Sequence, residues 1–162
     1  MCYNNVETGV FFMITIEIIC VGKIKEKYFT AAIDEYSKRL GRYCNFKITQ
    51  VQDYPDDNME IQREAELIIP KIKGVCVPLC VEGKQMSSEE LAEFISKMSV
   101  EGNSHISFII GGSNGLDDRI KNMGKLKLSF SKMTFPHQLM RVILAEQIYR
   151  AFKIINNENY HK

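Results

Sequence analysis

Apolar runs of five to eight residues alternate along this chain with stretches whose apolar positions recur three and four apart. Read as strands, the runs are Ile14 to Val21, Phe46 to Val51, Val75 to Val81, Ile106 to Ile110 and Leu126 to Phe130. Between them, Phe29, Ile33, Tyr36 and Leu40 form one helical stripe, and Leu91, Phe94, Ile95 and Met98 form another. Ser87 with Glu90 three residues on is a capping box and sets the start of the second of these helices. Such alternation predicts an α/β domain with a mostly parallel sheet. Residues 1–12 have no period, and Met13 stands directly before the first run, so the pattern predicts an N-terminal extension ahead of one domain spanning 13–162.

The last helix, Pro136 to Asn156, is apolar on more than one side. Met140, Ile143, Leu144, Ile148, Ala151 and Ile155 make one stripe, and Leu139, Val142, Tyr149 and Phe152 widen it. A surface helix of a small domain needs a single stripe. Its second face points either to a subunit interface in a homodimer or to full burial within the chain.

Composition narrows the class. At 162 residues, 45% hydrophobic and 25% charged, the chain has the balance of a single globular domain. No apolar run reaches the ~18 residues that span a bilayer, and the run from Phe11 to Val21 is broken by Thr15 and Glu17 with no basic leader. The cysteines Cys2, Cys20, Cys44, Cys76 and Cys80 are odd in number and lack a disulfide framework, which fits a reducing, cytoplasmic setting. Cys76 and Cys80 alone make a poor zinc signature, and no metal is expected. The net charge of +1 conceals a basic C-terminal third, because residues 119–162 carry nine Lys/Arg against two Asp/Glu. That excess suits either phosphate contact or an ordinary solvated surface.

Two loops follow strand ends, where open α/β sheets bind ligands. The first, Gly111-Gly112-Ser113-Asn114-Gly115, offers backbone amides to a ligand, although ordinary strand-to-helix turns also use glycine. The second, Ser129 to Gln138, gathers hydroxyls, an ammonium, two aromatic rings and the His137 imidazole in ten residues. Pro136 falls at the first helical turn, and the helix dipole favours a neutral His137, whether that ring serves chemistry or braces the loop.

The block LSFSKMTFPHQLMRVILAEQIYRAFKI, with FIIGGSNGL before it, VGKIKEKY near the start and YHK at the end, resembles the bacterial RlmH family of SPOUT methyltransferases. The similarity runs from Met13 to Lys162, with the twelve leading residues extra and Asp53 to Ile69 shorter than in the family. It implies a SPOUT-type α/β fold with helices on both faces of the sheet and a deep C-terminal trefoil knot. The implied cofactor is S-adenosyl-L-methionine, held by Leu79, Gly111, Phe130, Ser131, Lys132, Met133, Thr134 and Phe135; the match at Leu79 is the loosest. The implied reaction is methylation at N3 of a pseudouridine in large-subunit ribosomal RNA, in the assembled ribosome, by a homodimer. His137 and Lys132, together with Tyr160 and His161 reaching over from the partner subunit, are the groups implied near the N3 proton.

Two other classes compete with this reading. A dinucleotide-dependent oxidoreductase would carry G-x-G-x-x-G after the first strand, where this chain has Val21-Gly22-Lys23-Ile24-Lys25. A non-catalytic ribosome-binding factor could retain the same pocket, and calorimetry with S-adenosylmethionine separates it from an enzyme.

Overall fold

The computed structural model describes residues 13–160, so the expected extension over residues 1–12 lies outside the described residues, as do His161 and Lys162. The elements are β1 (Thr15–Val21), α1 (Lys27–Leu40), β2 (Asn45–Val51), α2 (Glu60–Ile68), β3 (Val75–Gln85), α3 (Ser88–Val100), β4 (His105–Ile110), α4 (Asp118–Met123), β5 (Leu128–Ser129) and α5 (His137–Ile155). A short 3-10 turn, Ile69–Lys71, follows α2. The strands form one sheet in the order β2-β1-β4-β3-β5, and every pairing is parallel.

The period-2 geometry of the central strands explains how the sheet is covered. Ile16, Ile18 and Cys20 of β1 and Phe108 of β4 face α1, α3 and α5, joining Leu40, Leu91, Ile95, Leu144 and Ile148 in one core. Ile19 and Val21 of β1, with Ile109 of β4, face the other way onto Ala65 and Ile68 of α2 and Ile120 of α4. Buried on both sides, β1 reads as a nearly continuous apolar run. Its one charged member, Glu17, is only 7% exposed and meets His105 Nε2 at 2.9 Å.

Three strands and the two striped helices lie where the pattern predicts them, and the capping box is present in full, with Ser87 accepting from Glu90 N–H and the Glu90 carboxylate accepting from Ser87 N–H. Two elements differ in extent. β3 runs on to Gln85 and β5 contracts to two residues, because β5 pairs only with the far half of β3 across a register shift between Leu79 and Lys84. Helix α2 escapes the hydrophobic period altogether: its buried positions are Glu60, Glu64, Ala65 and Ile68, so two carboxylates occupy the inner stripe. No described helix is long and apolar enough to cross a membrane.

On α5 the predicted stripe divides. Leu144, Ile148 and Ala151 are fully buried within the chain, as is Ala145, where α5 packs on α1 and α3. Leu139, Val142 and Ile143 stay half-buried. Monomer packing thus accounts for one apolar face and leaves the second open.

Candidate active site

The C-terminal ends of β4 and β5 meet the middle of β3 at a cavity of about 670 Å³, within the usual span for small-molecule sites. Leu79 and its neighbours on β3 form one wall, Gly111–Gly115 after β4 a second, and the loop between β5 and α5 a third. Leu79, Gly111, Phe130, Ser131, Met133, Thr134, Phe135 and His137 all line it, whereas Lys132 does not. Met133 is 73% exposed and Phe135 36%, a degree of exposure that marks them as the rim.

Local chemistry holds both loops in shape. The glycine loop folds back on itself through a Gly112–Gly115 bridge, with Gly115 at φ +87°. A Cβ at Gly111 would stand 2.2 Å from the Gly115 carbonyl oxygen, so glycine is required for the loop to close rather than for a ligand to approach. In the other loop, Ser131 Oγ accepts the Met133 N–H at 3.0 Å. The buried Ser129 hydroxyl lies 3.0 Å from the Val81 carbonyl, joining this loop to β3.

His137 opens α5, and burial, reinforced by the Arg141 guanidinium and by Lys25, moves its pKa below the usual imidazole value against the pull of Asp53. The neutral ring expected from the helix dipole is therefore favoured chiefly by desolvation. One turn on, Arg141 is fully buried and donates to the carbonyls of Gly22, at 3.0 Å, and Val21. Gln138 Oε1 accepts the Lys25 N–H at 3.0 Å, so the first two turns of α5 clamp the β1–α1 loop. Arg141 lies inside the recognisable PHQLMR block, yet its clamping role had no signature in spacing or period.

Tyr160 is not brought to the cavity within this chain. Its ring packs on Tyr149 at 4.9 Å and beneath Arg150 at 4.8 Å, and its hydroxyl donates to Glu146 Oε1 at 3.1 Å. Burial, followed by a hydrogen bond with Tyr36, raises its pKa, so the phenol holds its proton firmly. His161 lies outside the described residues.

The basic excess of the C-terminal third is largely consumed internally. Arg119 pairs with Asp117, Lys121 with Glu82, Lys125 with Glu101, Arg150 with Glu146 and Lys153 with Glu158, while Arg141 is buried. In this third Lys127 and Lys132 make no ion pair with a described residue, and neither do Lys23 and Lys25 of the β1–α1 loop, among other lysines.

Behind the glycine loop lies an acidic group that residue pattern did not disclose. Ligand-capable oxygens of Asp53, Glu60 and Glu64 lie within 4.8 Å of one another. Glu64, only 2% exposed, has its pKa pushed up to about 7 by burial and by the Glu60 and Asp53 carboxylates, against backbone N–H groups of Tyr54 and Gly112. Asn114 Nδ2 donates to Asp56 and to Glu60, each at 2.7 Å.

A parallel sheet with helices on both faces and a cavity at its C-terminal edge accords with the family match, in which a model described as Predicted SPOUT methyltransferase covers residues 14–161. The chain belongs to the SPOUT methyltransferase family. Its similarity is more particular than that. It is 53% identical over 157 residues to the ribosomal RNA large subunit methyltransferase H of Clostridium novyi, covering 91% of this chain and 99% of that protein. The same protein of Acetivibrio thermocellus is 50% identical over 157 residues, with the same coverage. A solved structure of a probable methylase family protein from Haemophilus influenzae Rd KW20 superposes with a TM-score of 0.53, covering 91% of this chain and 70% of that one. At 13% identity this last likeness is one of fold alone.

Proposed function

We propose that this SPOUT methyltransferase uses S-adenosylmethionine to methylate N3 of a pseudouridine in large-subunit ribosomal RNA, acting as a cytoplasmic homodimer on the assembled ribosome. The observation that carries the reading is the cavity itself, which lies where β3, β4 and β5 meet and collects most of the residues that the RlmH resemblance assigns to the cofactor. Apolar walls from Leu79, Leu116 and Phe130 fit an adenine ring, and the folded glycine loop supplies polar backbone for a ribose or amino acid. Leu79, Gly111, Phe130, Ser131, Met133, Thr134 and Phe135 would hold the cofactor. Lys132, outside the lining, is assigned to the RNA instead. The C-terminal trefoil knot of the family belongs to the same proposal.

When bound, S-adenosylmethionine supplies a methyl group on a sulfonium, already a good leaving group. The protein's part is alignment and proton management. Phe135 and Met133 at the rim provide surfaces for a base. A neutral His137 is suited to accept the N3 proton directly or through water. Unpaired Lys25, beside His137 and Gln138, and Lys132 in the cavity loop offer phosphate contacts, with Lys23 two residues before Lys25.

Dimerisation follows the open face of α5. Val142, Glu146 and Arg150 succeed one another at four-residue spacing, with Leu139 and Ile143 alongside, so Tyr160, held by Glu146 and Arg150, shares the face that Leu139, Val142 and Ile143 leave open. A partner docked there would receive Tyr160, His161 and Lys162 at its own site. The test is transfer of labelled methyl groups to ribosomes from a strain lacking the enzyme, with mass mapping of the RNA. One new methylated pseudouridine is the expected result; ribosomes that take up no label would defeat the reading.

A further inference from the structure

Helix α2 buries two carboxylates where its inner stripe, at positions 60, 64 and 68, would be filled at lower cost by apolar side chains. What these oxygens touch is the rear of the glycine loop. A Cβ at Gly112 would lie 3.1 Å from both carboxylate oxygens of Glu64, so the missing side chain and the glutamate occupy one another's space. Two residues on, the Asn114 amide is held between Asp56 and Glu60. Glu64 Oε1 has no hydrogen-bond partner in the protein, which leaves part of the carboxylate available to the loop backbone beside it.

We propose that Glu64 is a positioning residue for cofactor binding, bracing the Gly111–Gly115 backbone from behind while Glu60 and Asp56 fix the same loop through Asn114. The inference rests on the reading that this loop binds S-adenosylmethionine, and it assigns α2 a part in that site. A carboxylate accepts the Gly112 N–H strongly, whereas a protonated acid accepts weakly and competes as a donor. The charged groups around Glu64 are Glu60 on its own helix and Asp53 after β2, both acidic. Arg141 and His137 of α5 are felt by Asp53 rather than by Glu64, and the glycine loop contributes no charged side chain. No cationic side chain therefore secures the Glu64 charge, which rests on the backbone N–H groups of Tyr54 and Gly112 alone, and its protonation changes the grip on the loop near neutral pH.

The experiment compares the full-length wild type with Glu64→Gln and Glu64→Ala in two measurements from pH 6 to pH 8. One is calorimetric affinity for S-adenosylmethionine; the other is amide hydrogen exchange at Gly112, Ser113 and Asn114 without cofactor. Wild-type affinity should weaken as pH falls, by roughly ten-fold at the limit set by losing one charge-assisted hydrogen bond. Glu64→Gln should lack that component while keeping any pH dependence due to His137, and Glu64→Ala should bind weakly throughout. Loop exchange should quicken with acid in the wild type and not in Glu64→Gln, after correction for intrinsic rates. Equal affinity, pH dependence and loop protection in wild type and Glu64→Gln would overturn the brace. If the wild type binds no cofactor at any pH, the functional reading fails, and the exchange measurement still decides whether Glu64 holds the loop.

Discussion

Glu64 illustrates how a single side chain serves the site at a cost to the fold. Its pKa is about 7 in the folded chain, against 4.5 for an ordinary glutamate. The stability gained from its protonation is complete below pH 4.5 and is lost as pH rises through 7. At pH 8 the wild type should therefore be less stable than Glu64→Gln by up to about 3 kcal/mol. Thermal melts should display that gap at pH 8 and its closure toward pH 5. His137 contributes at the same scale. His137→Ala should slow methyl transfer by about a hundred-fold or more if the ring accepts the proton, with a smaller change in calorimetric cofactor affinity. A rate within a few-fold of wild type would assign His137 to bracing alone. Some of these roles lay within reach of sequence, since the SFSKMTFPHQLMR block points to His137 and the rim. The roles of Glu64 and Arg141 did not, because a buried charge on a helix reads as polar surface until its neighbours are known.

Elements were more legible than their edges. Three-and-four spacing predicts α1, α3 and α5, and Ser87 fixes the start of α3; Ser87→Ala should lower stability by about 1 kcal/mol, read as a lower melting temperature, without moving the helix. The two faces of α5 could be seen in sequence, but not which residues serve which. Ile148 is fully buried in the monomer's own core, so Ile148→Glu should unfold the chain rather than split a dimer. The informative substitutions are Val142→Glu and Ile143→Glu. Sedimentation should find them folded and monomeric at concentrations where the wild type is dimeric, and a monomeric wild type would remove the basis for a shared site. β5 illustrates the opposite difficulty: an apolar run of five predicted a strand, yet pairing with one half of β3 retains only two residues.

At the scale of the whole molecule, alternation of strands and helices makes a parallel sheet legible, but strand order is a property of non-local pairing that no local period encodes. Charge behaves likewise. The basic C-terminal third looks like a phosphate-binding face until ion pairs with Asp117, Glu82, Glu101, Glu146 and Glu158 are drawn; they leave Lys127 and Lys132 unpaired there, with Lys23 and Lys25 unpaired near the opposite end of the sequence. Lys23→Ala combined with Lys25→Ala should raise KM for ribosomes and reduce the salt dependence of binding by about one to two ions, with calorimetric cofactor affinity unchanged. An unaltered salt slope would assign RNA contact elsewhere.

The Arg141 clamp also bears on the order of assembly. Its guanidinium joins carbonyls 119 and 120 residues upstream, so α5 must dock before the Val21 and Gly22 carbonyls gain this donor. A chain emerging from a ribosome would have completed β1 long before α5 exists to grip it. Contacts of such high sequence separation form late and slowly. The loop from Ser129 to Pro136, a wall of the cavity, is anchored on β3 at Ser129 and runs into α5 at its other end. A chain whose α5 is not yet docked therefore has this wall held at one end only, and the last part of the cavity to be fixed is the side that α5 carries.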